Sequence, residues 1–158
     1  MANKPKPDFA VPDPDFESKV RESFARQKFM TYLGCRVVSV APGRVEIEVP
    51  FRDELTQQHS FFHAGVTGSI VDSACGYAAF TLMPVGYSVL TVEYKLNLLS
   101  PAHGEKLRAR AVVERAGKSI YVCRGEVFAV ADGVEKLCAV TLATVMALPG
   151  RTDEPTEE

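Results

Sequence analysis

A chain of 158 residues has the length of one domain with a substantial core and too little for two. Its 46% hydrophobic and 24% charged residues argue against a disordered chain, and no run reaches the roughly 18 apolar residues of a membrane-spanning helix. A formal net charge of -2, with both signs intermixed, leaves no electrostatic footprint for nucleic acid, so neither nucleic acid nor membrane is expected as a partner.

Residues 1–14 carry prolines at 5, 7, 12 and 14 and lack the apolar core of a signal peptide. They read as a flexible N-terminal tail on a cytoplasmic protein. From Asp15 to about Leu33, Val20, Phe24, Phe29, Met30 and Leu33 recur every three to five residues among Lys19, Arg21, Glu22 and Arg26. This predicts one amphipathic helix, stopped by Gly34. The runs CRVVSV and RVEIEVPF, separated by APGR, predict a hairpin. In the second run Val45, Ile47 and Val49 alternate with Glu46 and Glu48, which predicts one buried and one wet face.

A long helix is predicted from about Ala64 to Leu82, and four strands follow it. Leu90, Val92, Tyr94, Leu96 and Leu98 alternate with polar residues, as do Leu107, Ala109, Ala111 and Val113, so each strand has one core face. SIYVCRGEVFAV and KLCAVTLATVMAL are apolar on both faces, as in strands covered twice or at a subunit contact. Asp132-Gly133 between them suits a type I′ turn. Residues 149–158 are polar and acidic, a second flexible tail, leaving one domain over 15–148. The fold class is α+β, a curved antiparallel sheet around one long helix with an extra N-terminal helix. Cys35, Cys75, Cys123 and Cys138 are far apart in apolar segments and read as small buried hydrophobes in a reducing compartment.

Asp72 is the one charged residue between His63 and Leu82. Along its side of the predicted helix lie Gly65, Gly68, Ser69, Cys75, Gly76 and Ala79, all small, although glycine costs roughly 1 kcal/mol in a helix relative to alanine. Either another element packs there with Asp72 as a structural group, or the small stripe floors a ligand channel with Asp72 as its reactive group. At the helix start, backbone N–H groups and the positive end of the dipole collect, suited to a developing oxyanion. Asp72 lies eight residues beyond Ala64, about 12 Å along the axis, too far for both to act on one carbonyl carbon. If both are catalytic they come from two copies of the helix across a dimer interface.

LTQQHSFFHAGVTGSIVDSACGYAAF, followed by VLTVEYKLNLLSPA, resembles the signature of hotdog-fold acyl-CoA thioesterases of the phenylacetic-acid-degradation (PaaI) type, over about residues 33–148. The resemblance implies a hotdog fold, acyl-CoA as substrate and no cofactor. It implies a catalytic set of Gln57, six residues before His63; the Ala64 N–H of the HAG triplet, with Gly65 beside it; and Asp72, nine residues after His63, as nucleophile or general base. Thr91 matches a serine or threonine that helps hold the attacking water. The turn containing Arg115, Gly117, Lys118 and Ser119 matches one that touches the CoA nucleotide. The family usually has HGG, so Ala64 retains its role if its φ is negative.

From the residues themselves, Tyr77 and Phe80 are either acyl contacts or core residues, with Phe61, Phe62 and Met83 adding apolar or aromatic character that fits aryl, medium and long chains alike. His59 and His63 have i, i+4 spacing without an HExxH motif or a third ligand, so no metal is expected, and His63 is read as shaping the turn. The expected assembly is a homodimer with shared active sites, pairing into a homotetramer. A hotdog hydratase or dehydratase and a non-catalytic acyl-CoA sensor are the rival readings.

Overall fold

The computed structural model describes residues 9–151. Two helices, α1 (Phe16–Arg26) and α2 (Lys28–Leu33), precede a hairpin of β1 (Arg36–Ala41) and β2 (Arg44–Pro50). Helix α3 (Ala64–Phe80) then leads to β3 (Tyr87–Leu98), β4 (Lys106–Ala116), β5 (Ile120–Ala131) and β6 (Val134–Pro149). All strand pairs are antiparallel, in the order β1-β2-β4-β5-β6-β3, and α3 packs against β2 to β6 as the sheet curves round it. This is the α+β hotdog arrangement with an N-terminal helical addition.

The local signals perform as their chemistry predicts. Gly34 ends α2 with φ 77, and Asp132 and Gly133 both take positive φ (50 and 75) in the β5–β6 turn. β4 buries Leu107, Ala109, Ala111 and Val113 in strict alternation. Gly125 on β5 lies directly under α3: a Cβ there would lie 2.8 Å from Thr141 Cγ2 and 3.1 Å from Cys75 Sγ, with Val71 nearer still. Three cysteines are buried and Cys35 is half-buried; all four are free thiols.

Several expectations need correction. The single helix over 15–33 is broken at Gln27, whose ψ of 97 is extended. Within the expected N-terminal tail, Phe9 packs against the core and lies at Gly43, and buried Asp13 pairs with Lys19 at 2.8 Å. Of the tails, 1–8 and 152–158 lie outside the described residues, while Pro149 is the last residue of β6.

Glu48, expected on the wet face, is 2% exposed. It is tolerated there because Arg36 (2.7 Å), Lys106 (2.9 Å) and Arg108 all contact its carboxylate. The even alternation along β3 is also interrupted. Thr91 pairs with Val145 and Glu93 with Thr144, so Val92 is an extra, bulged residue. Upstream of it Val89 and Thr91 face α3; downstream Tyr94 and Leu96 do. Leu90 and Val92 are left outside, 51% and 54% exposed. β5 and β6 bury one face each within the chain, and Leu142 and Ile120 on the other are exposed.

Candidate active site

The segment between β2 and α3 folds back on itself through a Thr56–Phe62 bridge, with Gln57 N–H on Phe61 O (2.9 Å) and Ser60 N–H on Gln57 O (3.0 Å). Ser60 sits at φ 62. The Gln57 side chain takes the His59 N–H on its Oε1, which leaves its amide nitrogen to donate elsewhere.

The start of a helix exposes four backbone N–H groups without intrahelical acceptors. In α3 three of them are satisfied: the N–H of His63 donates to Leu55 O at 2.9 Å, Gly65 N–H donates to His63 Nδ1 at 2.9 Å, and Val66 N–H donates to the His63 carbonyl at 3.0 Å. A Cβ on Gly65 would come within 2.9 Å of that same Nδ1, which accounts for glycine there. The fourth group, Ala64 N–H, has no partner among the described residues. Ala64 is not among the residues with positive φ, so alanine sits there without strain.

Ala64 and Gln57 open onto a cavity of about 460 Å³, walled by Phe61, Phe62, Leu98, Leu99, Pro101 and Cys138 among others. This is within the size of ordinary small-molecule pockets. Asp72 lies in a different cavity, of about 110 Å³, with Gln27, Ser73, Gly76, Tyr77, Val89 and Thr91. Its Oδ1 is buried with no hydrogen-bond partner among the described residues. Burial pushes its carboxyl pKa above the ordinary aspartate value, and the Thr91 hydroxyl beside it partly offsets this.

Of the seventeen residues of α3 only Ala64, Gly65, Ser69, Asp72 and Ser73 are not buried, and they line up three to four residues apart. The open face of the helix is therefore a narrow seam from its N-terminus to Asp72. The predicted small stripe is only partly open. Cys75 and Ala79 belong to the core, Gly68 admits the Tyr94 hydroxyl and Gly76 faces Thr91.

The structure thus brings Gln57, His63, Ala64 and Gly65 together at one end of the helix, and Asp72, Thr91 and Tyr77 at the other. Phe80 and Met83 are buried and line neither cavity; Lys19 Nζ lies 4.6 Å over the Phe80 ring. Tyr77 contributes a hydroxyl rather than an apolar wall, bonded to Ser23 Oγ and Gln27 Nε2, each at 3.0 Å. Gly117, Lys118 and Ser119 form the β4–β5 turn, Arg115 lies near the end of β4, paired with Val122, and none of the four lines either cavity; Arg115 and Lys118 are exposed, with no ion-pair partner among the described residues. Gln27 and Ser73 complete the Asp72 cavity without any sequence signal, since both sit in ordinary helical patterns.

Comparison with known proteins gives a consistent picture. Residues 59–136 match the model of the thioesterase superfamily. A Saccharolobus solfataricus protein described as a candidate esterase is 30% identical over 115 residues, 72% of this chain and 81% of that protein. Among solved structures, a thioesterase family protein from Silicibacter pomeroyi is 49% identical with TM-score 0.84, covering 85% of this chain and 99% of that one. The PaaI protein from the phenylacetic acid degradation operon of E. coli shares the fold at 19% identity, with TM-score 0.76 and coverage of 89% and 98%.

Proposed function

The chain belongs to the thioesterase superfamily and is a thioester hydrolase; we propose that it cleaves an aryl-, medium- or long-chain acyl-CoA to the free acid and CoA, at a site shared between two copies of the chain. The observation carrying this reading is the separation, on one rigid helix, of a backbone donor without a partner at Ala64 and a carboxylate oxygen without a partner at Asp72, each in its own cavity. One carbonyl carbon needs an oxyanion donor and a base or nucleophile within about 3 Å. A second helix laid antiparallel along the open seam would bring each Ala64 to the other copy's Asp72.

In this reading the Ala64 N–H, the helix dipole and the Gln57 amide polarise the thioester carbonyl. Asp72 of the facing copy either deprotonates a water beside Thr91 or attacks directly to form a mixed anhydride. The raised pKa of Asp72 favours both, since a poorly solvated carboxylate is more basic and more nucleophilic than one in water. His63 is the brace that consumes the competing N–H groups, with Gly65 giving it room. Arg115 and Lys118 would meet the CoA phosphates as charge partners.

A second copy is also supported by the sheet. β3 is a twelve-residue edge strand bearing exposed Leu90, Val92, Tyr94 and Leu98, a surface that single chains in water avoid. Exposed Ile120 and Leu142 continue the apolar character onto β5 and β6, and we propose a tetramer of two such dimers.

The test is release of free thiol from a panel of acyl-CoAs. Wild type is expected to turn over at least one apolar acyl-CoA while Asp72→Ala and Asp72→Asn do not. Binding without release would mark a sensor, and addition of water to an enoyl-CoA would mark a hydratase; either would overturn the reading.

A further inference from the structure

Gln27 is drawn into the Asp72 cavity by a break in the backbone. α1 ends at Arg26, α2 starts at Lys28, and the extended residue between them directs its carboxamide toward α3. One end of that carboxamide is fixed, Nε2 donating to Tyr77 Oη at 3.0 Å, and the same hydroxyl is held at 3.0 Å by buried Ser23. Gln27 Oε1 has no partner among the described residues.

The two cavities differ in chemistry as well as size. Around Asp72 five of the seven lining residues carry a polar side-chain group: Gln27, Asp72, Ser73, Tyr77 and Thr91. An alkyl or aryl group there would shut Asp72 Oδ1 and Gln27 Oε1, which have no partner among the described residues, away from any donor, which is costly for each. Water would not. At about 30 Å³ per molecule in the liquid, a space of about 110 Å³ admits more than one water. The Ala64 cavity, four times larger and walled by phenylalanine, leucine and proline, suits the acyl chain instead.

We propose that Gln27 is a positioning residue for hydrolysis: with Asp72 and Thr91 it holds the attacking water in the small polar cavity, while the acyl chain lies in the larger cavity beside Ala64 of the facing copy. This rests on the acyl-CoA reading above and chooses the water route within it. The Asp72 carboxylate takes one proton of the water as the water oxygen bonds to the carbonyl carbon. The carbonyl electron pair moves to the oxygen beside the Ala64 N–H. When that pair returns, the carbon–sulfur bond breaks and the departing sulfur takes the proton from Asp72, giving acid and thiol. The N-terminal helices are then part of the active site, since the break between them supplies Gln27.

The test compares Gln27→Met, close in shape but unable to hold water as the amide does, and Gln27→Ala with Val20→Ala. The last loosens the packing of α1 at a buried residue that does not line the cavity. On the acyl-CoA that wild type hydrolyses best, both Gln27 variants are expected to lose kcat by about ten- to a hundredfold through a misplaced nucleophile, with KM and acyl-chain-length preference unchanged. The acid limb of their kcat/KM profile moves to higher pH, because Asp72 loses a polar neighbour. Val20→Ala keeps wild-type kcat. Wild-type kcat in the Gln27 variants, an equal loss in Val20→Ala, or a shift of preference toward longer chains would each overturn the proposal. Absence of thiol release from every acyl-CoA by wild type, or full activity of Asp72→Asn, would instead overturn the function on which it rests.

Discussion

Ala64→Pro deletes one hydrogen-bond donor and little else. Proline removes the backbone N–H, and at Ala64 that N–H serves no acceptor among the described residues. Position 64 is the first residue of α3, where proline's fixed φ is suited to the helix. The preceding residue must tolerate a following proline, and His63, at φ -64 and ψ 141, is already in the extended region that proline demands. Folding and thermal midpoint are therefore expected to stay near wild type. Catalysis is not. Loss of one oxyanion donor lowers kcat by about 10²–10³, or roughly 2.7–4 kcal/mol. Thiol release from an acyl-CoA measures this, and a thioether analogue without a carbonyl should bind Ala64→Pro as it binds wild type, which separates a lost donor from a blocked pocket. Ala64→Gly keeps the N–H and should stay active. Mixing Ala64→Pro with Asp72→Ala subunits adds the geometric test. If each site takes Ala64 from one copy and Asp72 from the other, half the dimers are mixed and one of their two sites is whole, restoring about a quarter of wild-type activity. No recovery after verified subunit exchange, or Ala64→Pro with wild-type kcat, would refute the reasoning.

Other expectations follow from the same geometry. Asp72 has a raised pKa in the fold, so its contribution to stability is complete below the unfolded pKa and is lost as pH rises through the folded one. Asp72→Asn should therefore gain stability over wild type increasingly with pH, by urea melts, while losing hydrolysis; a constant difference would contradict the buried charge. In wild type the acid limb of kcat/KM should lie above the ordinary aspartate pKa of 3.8. Glu48 behaves oppositely: burial alone would raise it, but Lys106, Arg36 and Arg108 hold it at about 2. Its stabilisation is present above the unfolded pKa and lost as pH falls toward 2, at most about 3 kcal/mol and less because Arg36 is 71% exposed and screened. In acid titrations Glu48→Gln should lack that slope, and an unchanged slope would rule the cluster out as its source. Gly125→Ala should cost about 1–3 kcal/mol in denaturant unfolding, because the added methyl meets the Thr141 and Val71 side chains between α3 and the sheet. A neutral result would mean the helix can retreat.

The periodic and turn-forming parts of this protein were legible in its residues. The alternation of β4, the stop at Gly34, the Asp132-Gly133 turn and the start of α3 after His63 depend on backbone preferences and on neighbours two to four positions away, which a linear sequence displays. The isolation of Asp72 in an apolar helix, and its distance from Ala64, were equally visible. Other features depend on residues that meet only after folding. Glu48 is buried because cations from β1 and β4 converge on it. Val92 bulges because β3 must follow β6, and this changes which residues of one even-looking pattern face the helix. The split between a polar cavity at Asp72 and an apolar one at Ala64 arises from where the N-terminal helices, β3 and the loop before α3 pack on opposite ends of one rod. Sequence order records which groups are present and how they repeat; enclosure is a sum over long-range neighbours, so only the tertiary structure decides which groups are wet, which are paired and which are left facing a cavity.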